Sequence, residues 1–231
     1  MNTDTRSVYF EGEGKVADKY TFTKGTQYYL GKTESKDIDP FIVFQQFMNI
    51  GEPKNILEVG VARSIPDRPT HHEAGFSNYE KYIKTDFQDD KIDVDIVSDI
   101  HKLEDTFERN YFDGVLACSV YEHVHKPWIA SASINKVLKV GGYVYIDTHF
   151  SFPIHGYPND YFRFTTDGLV SLFDDYFGFE VEACDYAWPV SLIFRQDKNQ
   201  VSLPIWDEYA AYHKNFLHVS IVAKKTKDIK L

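Results

Sequence analysis

The chain is poor in cysteine. Cys118 and Cys184 stand far apart among 231 residues, with no Cys-x-x-Cys pair. Two isolated thiols exclude a disulfide framework and fit a reducing compartment. Long apolar runs are missing as well, since none approaches the ~20 residues that a membrane-spanning helix needs. The first thirty residues are polar and acidic, without the apolar stretch of a signal peptide, so a cytoplasmic location is expected. Positive charge is also scarce. Lys and Arg total 25 against 35 Asp and Glu, a formal net charge of −10. Nucleic acid and anionic membranes both demand a basic surface, so neither is expected as a partner. A small molecule remains, and the sequence leaves the oligomeric state open. No internal repeat is present.

What the chain does have is an alternation of apolar strands and amphipathic segments, which predicts an α/β domain. Its centre is Asn55-Ile56-Leu57-Glu58-Val59-Gly60-Val61-Ala62-Arg63-Ser64, an apolar run that breaks into a turn of small residues. In open α/β sheets ligands bind at the carboxyl ends of the strands, and a glycine there allows a close approach to the main chain. A dinucleotide site would carry Gly-x-Gly-x-x-Gly. Here Ala62 and Ser64 hold the alternate positions, and Pro66 and Pro69 interrupt any helix that follows. A diphosphate cradle, and with it a nicotinamide-dependent oxidoreductase, is disfavoured.

The remaining elements follow in order. Asp39-Pro40 starts a helix carrying Phe41, Phe44, Phe47 and Met48, and Gly51 closes it. Strands are predicted over 55–59, 82–86, 94–99, 112–118, 143–146, 179–183 and 217–223. The last is expected to be antiparallel at the far side of the sheet. Pro127-Trp128 opens a helix with Ala130, Ile134, Val137 and Leu138 on one face, ended by Gly141-Gly142. Thr165 or Thr166 caps another, with Leu169, Leu172, Phe173 and Tyr176 as its face. Residues 1–36 form an arm or lid, and 188–213 an insertion without a placement.

Two strands end in acids, Asp86 and Asp99. A carboxylate at Asp86 suits the two hydroxyls of a ribose, and Asp99 beside Ile100 suits an adenine, amine and ring face together. Two histidine clusters, His71-His72 and His123-x-His125, invite a metal reading. His123-x-His125 is followed by Lys126 and Pro127, without the further acid of hydrolytic His-rich motifs, and paired histidines in loops are mostly not ligands, so no metal is expected.

The sequence resembles the class I S-adenosylmethionine-dependent methyltransferases. The resemblance rests on Ile56 to Gly60, Lys84-Thr85-Asp86, Ser98-Asp99-Ile100, Phe112-Asp113-Gly114-Val115, Tyr121-Glu122-His123-Val124 and Val137 to Gly142. A stretch from Pro153 to Thr165, Pro-x-His-Gly-x-Pro-x-Asp-Tyr-x-Arg-Phe-Thr, is similar to a small-molecule branch (methyltransferase type 11-like) often found in sugar or surface-polysaccharide pathways. The resemblance implies a Rossmann-like, mostly parallel seven-stranded sheet with helices on both faces and an antiparallel last strand, in a single domain over 37–231. It implies S-adenosylmethionine as cofactor, S-adenosylhomocysteine as product, and O- or N-methyl transfer to a small polar metabolite such as an activated or phosphorylated sugar. The implied cofactor residues are Glu58, Gly60, Val61, Ala62, Arg63, Ser64, Asp86, Phe87, Asp99, Ile100, Cys118, Ser119 and His123. Of the catalytic candidates, His149 and His155 could serve as the base, since histidine titrates near neutral pH. Arg163 could clamp a phosphate or carboxylate, and Asp160 could either act beside it or pair with it to stiffen the loop. The turn departs from the family's preferred glycines at Ala62 and Ser64, which raises the alternative of a non-catalytic binding or partner subunit.

Overall fold

The computed structural model describes residues 4–7, 21–24, 39–63, 69–156, 158–190 and 215–229. The expected arm and the expected insertion fall mostly outside them, and so does Ser64. Of the arm, two short strands are described, β1 (Asp4–Ser7) and β2 (Thr21–Lys24), paired antiparallel.

Helix α1 (Pro40–Asn49) starts as its residues dictate. Asp39 accepts the N–H of Phe41 at 2.9 Å, and Pro40 occupies the first turn, where no N–H is needed. It leads into β3 (Lys54–Val59), which pairs in parallel with β4 (Tyr79–Asp86) on one side and β6 (Phe112–Cys118) on the other. The two-residue β5 (Ile96–Val97) lies outside β4. Helix α2 (Pro127–Val137) crosses over to β7 (Leu138–His149), parallel to β6. Helix α3 (Thr166–Val170), β8 (Phe179–Val190) and β9 (Asn215–Lys225) complete the chain. The sheet order is β5-β4-β3-β6-β7-β9-β8, and β9 alone runs antiparallel.

Each face of the sheet has its own core. Val43, Phe44 and Met48 of α1 pack on Ile56, Leu116, Tyr145 and Val222. On the opposite face α2 and α3 bury Ala130, Ile134 and Leu169 against Leu57, Val115, Val144, Ile146, Val219 and Ile221. Alternate residues of one strand enter opposite cores, as the two-residue repeat of a strand requires. Gly114 is needed by the packing of α1, because a Cβ there would lie 2.3 Å from the Met48 sulfur.

Four expectations change. First, β9 is not at the sheet's far side but between β7 and β8. Val219 through Ala223 are buried on both faces, the condition of an interior strand. Second, α2 ends at Val137, and Leu138 already belongs to β7. Gly141 (φ +90°) and Gly142 sit within that strand, beside the register shift between β6 and β7, and a Cβ on Gly142 would lie 2.8 Å from the Asp113 carbonyl. Third, the strand expected over 94–99 shrinks to two paired residues. Fourth, α3 is a five-residue helix capped by Thr165, and Tyr176 points to solvent at 70% exposure.

Candidate active site

The sheet order reverses between β3 and β6, and the carboxyl ends of the parallel strands open there into a cavity of about 1440 Å³. Gly60, Asp86, Cys118 and Asp147 line it from the ends of β3, β4, β6 and β7. Because β9 runs the other way, its beginning reaches the same rim and contributes His218 and Ser220.

The turn after β3 is braced by acids from the far side of β4. Asp86 accepts the N–H of Ala62 at 3.0 Å and that of Gln88 at 2.9 Å. Burial pushes the Asp86 carboxyl above its ordinary value, against the pull of the Gln88, Ala62 and Phe87 N–H groups. Asp90 takes the N–H of Arg63 on one oxygen and those of Ile92, Asp93 and Val94 on the other. Burial opposes ionisation there, yet these four donors hold the Asp90 carboxyl down at about 2. The Arg63 guanidinium forks onto Asp93, and that pairing in turn lowers the Asp93 carboxyl. Ala62 and Arg63, expected to meet the cofactor, thus have their main-chain donors held by carboxylates. Gly60 itself turns with φ +85°, and a Cβ on it would meet Val120 Cγ2 at 2.1 Å.

Of the expected cofactor residues, Gly60, Ala62, Arg63, Asp86, Phe87, Asp99, Ile100, Cys118, Ser119 and His123 line the cavity. Asp99 caps the turn of helix that follows it by accepting the N–H of His101 and meets that ring's Nδ1 at 2.7 Å. These contacts outweigh burial and hold its carboxyl below the ordinary range. Two of the expected residues are elsewhere. Glu58 is buried behind the cavity, its carboxylate taken by the His72 N–H and Nδ1 and by the Tyr82 hydroxyl at 2.5 Å. It anchors the chain after the turn. Val61 is 1% exposed and part of the core, because the N–H of Gly60 bonds to Thr85 and holds the turn against β4.

The catalytic candidates divide in the same way. His149 and His155 line the cavity, whereas Asp160 and Arg163 do not. The Arg163 fork is taken by both Asp160 oxygens and by the carbonyls of Phe152, Pro153 and Phe162. The guanidinium beside Asp160 holds that carboxyl well below the usual range. Asp160 in turn accepts the N–H of His155 at 2.8 Å. The pair therefore stiffens the loop and leaves no fork for a phosphate. His149 is 4% exposed, stacks on Phe152 with centroids 4.2 Å apart, and has no partner for its buried Nδ1.

The sequence reading missed a second pair. Asp147 Oδ1 lies 2.6 Å from Nδ1 of His218, and both residues line the cavity. His218 packs against the rings of His149 and Trp188, each 4.5 Å away. In sequence the two partners belong to separate strands, and only the insertion of β9 beside β7 brings them together. The acid ending β7 was the available signal. The sequence clusters also part: His72 turns to Glu58, His71 lies 3.8 Å from Asp93, and His125 stacks near His101 rather than joining His123.

No helix of the described residues is long and apolar enough to cross a membrane. No curated protein matches the sequence. Residues 72–146 match the family model described as a methyltransferase domain. Among solved structures, a SAM-dependent methyltransferase from Archaeoglobus fulgidus aligns with a TM-score of 0.54 at 17% identity, over 80% of this chain and 90% of that one. A putative methyltransferase of Haloferax volcanii, solved in complex with the Trm112 methyltransferase activator, gives 0.54 at 16% identity over 83% and 90%. The [4+2]-cyclase SpnF gives 0.52 at 16% over 80% and 78%, so the fold alone does not fix the reaction. The match to the methyltransferase-domain model runs through β4 to β7, whose ends build the cavity, and the chain shares its fold with these solved structures.

Proposed function

We propose that this enzyme methylates a hydroxyl oxygen of a small polyhydroxy acceptor of the sugar type, as in polysaccharide biosynthesis. The observation that carries the reading is the division of the cavity into two walls. One holds Asp86, Phe87, Asp99 and Ile100, and the other holds Asp147, His149 and His218 beside Phe152 and Trp188. The cavity exceeds the ~300–1,000 Å³ typical of a single small ligand, which suits a cofactor and an acceptor side by side.

The first wall fits an adenosyl group. Asp86 would take the ribose hydroxyls, and Asp99 with Ile100 the adenine. His101 Nε2, buried on this wall without a partner, offers a further polar contact. Gly60, Ala62, Arg63, Cys118, Ser119 and His123 complete that side. Bound there, the cofactor supplies an electrophilic methyl group on a sulfonium sulfur.

The chain's own task is to position the acceptor and remove its proton. Asp147 accepts from Nδ1 of His218 and fixes that tautomer, which leaves Nε2 basic. His218 thus takes the proton from the acceptor hydroxyl. His149 and the rings of Phe152 and Trp188 form the surface against which a sugar ring lies. With its fork engaged by Asp160, Arg163 does not support a phosphorylated acceptor.

A labelled-methyl screen of sugars and sugar nucleotides against the wild type and His218→Gln tests this. The substitution is expected to lower turnover ~10²–10⁴-fold with S-adenosylhomocysteine affinity unchanged. Equal turnover in both proteins would remove His218 as the base.

A further inference from the structure

Glu122, one residue after the strand-to-helix turn beyond β6, has no exposed surface. Its Oε2 accepts the Thr148 hydroxyl at 2.7 Å, and its buried Oε1 faces Nε2 of His149 at hydrogen-bond distance. Three histidine rings surround that oxygen, with the Nε2 atoms of His149, His123 and His155 at 3.0, 3.7 and 3.9 Å. The last two distances are too long for hydrogen bonds.

The other nitrogens of these two rings settle what faces Glu122. His123 Nδ1 lies 2.6 Å from the Asn159 carbonyl, and His155 Nδ1 lies 3.0 Å from the Pro153 carbonyl. A carbonyl only accepts, so each Nδ1 carries the hydrogen, and in the neutral ring the Nε2 lone pair then faces inward. Two lone pairs and a carboxylate oxygen then converge, all within 4.8 Å of one another. A cation at the centre would engage all three atoms at once. Ligand atoms ~2.0–2.2 Å from one ion lie ~3–4 Å apart, close to the spacings found.

We propose that Glu122, His123 and His155 bind one divalent transition-metal ion, zinc being the best match. Two imidazoles and one carboxylate suit zinc and its first-row neighbours, whereas magnesium and calcium prefer oxygen alone. Backbone carbonyls on both Nδ1 atoms are the outer partners that orient ligating histidines. The Asp160–Arg163 pair joins them, since Asp160 holds the His155 N–H and Arg163 holds the Pro153 carbonyl. His123 and His155 line the cavity, so the remaining coordination position opens toward it and can take an oxygen of a bound acceptor.

The test is independent of methyl transfer. The full chain is stripped with a chelator, then titrated with zinc by calorimetry and with cobalt(II) followed by its visible ligand-field absorption. One equivalent of each is expected to bind. Glu122→Gln and His155→Gln should weaken zinc binding by more than the ~10–100-fold that loss of an outer partner brings, while His125→Gln leaves it unchanged. His155 lies in a loop outside the core, so its variant decides the matter if Glu122→Gln does not fold. Absence of saturable one-to-one binding, or affinity untouched by His155→Gln, would overturn the proposal and leave the methyltransferase reading intact.

Discussion

Gly60 turns the chain at φ +85° with Val120 packed directly over its Cα. From the sequence the space above this glycine belongs to a ligand, but the structure gives it to the Val120 side chain. The residue is therefore required before any cofactor binds. Gly60→Ala is expected to cost ~1–3 kcal/mol of stability, through the left-handed backbone together with the clash. A second change, Val120→Ala, should recover the part due to the clash and leave the backbone part. Denaturant midpoints of the single and double variants measure this, and a Gly60→Ala chain as stable as the wild type would refute it. In the sequence Ala62 was legible only as a departure from a glycine pattern, and Arg63 only as its charged neighbour. Their partners, Asp86, Asp90 and Asp93, lie at or beyond the end of the next strand, and no local spacing announces that contact.

At the scale of elements, the strands were readable because buried parallel strands are continuous apolar runs, as Val115-Leu116-Ala117 is. Their limits were not, because bulges and neighbours set them. Gly141-Gly142 has the composition of a helix end, and here it relaxes the register between β6 and β7. The loop after the β3 turn is held by Glu58, His72 and Tyr82. Hydrogen bonding to Glu58 raises the His72 pKa above 6.5 against the effect of burial. A raised histidine stabilises the fold fully below its unfolded value, and that contribution is lost as the pH rises through the folded value. Urea midpoints of the wild type should therefore exceed those of His72→Gln by more at about pH 5 than at about pH 9. A gap that does not change with pH would show that protonated His72 does not brace this loop.

The whole molecule shows where sequence reading stops. Fold class, the acid-ended strands and the small-residue turn all follow from local pattern and chain order. The histidine wall does not. It depends on β9 entering between β7 and β8, which sets His218 opposite His149 in the ladder and within reach of Asp147. The Glu122 cluster likewise needs the loop of His155 folded back over the end of β6. Both walls meet in one cavity, and the account stands on the acidic wall holding an adenosyl group. Calorimetric titration of the full chain with S-adenosylhomocysteine, beside Asp99→Ala, measures this most directly. One-to-one binding that weakens at least ~10-fold in the variant, the ~1.4 kcal/mol of one lost polar contact, is the expected result. No binding of the sulfur ligand, with saturable binding of NADH in its place, would contradict the account.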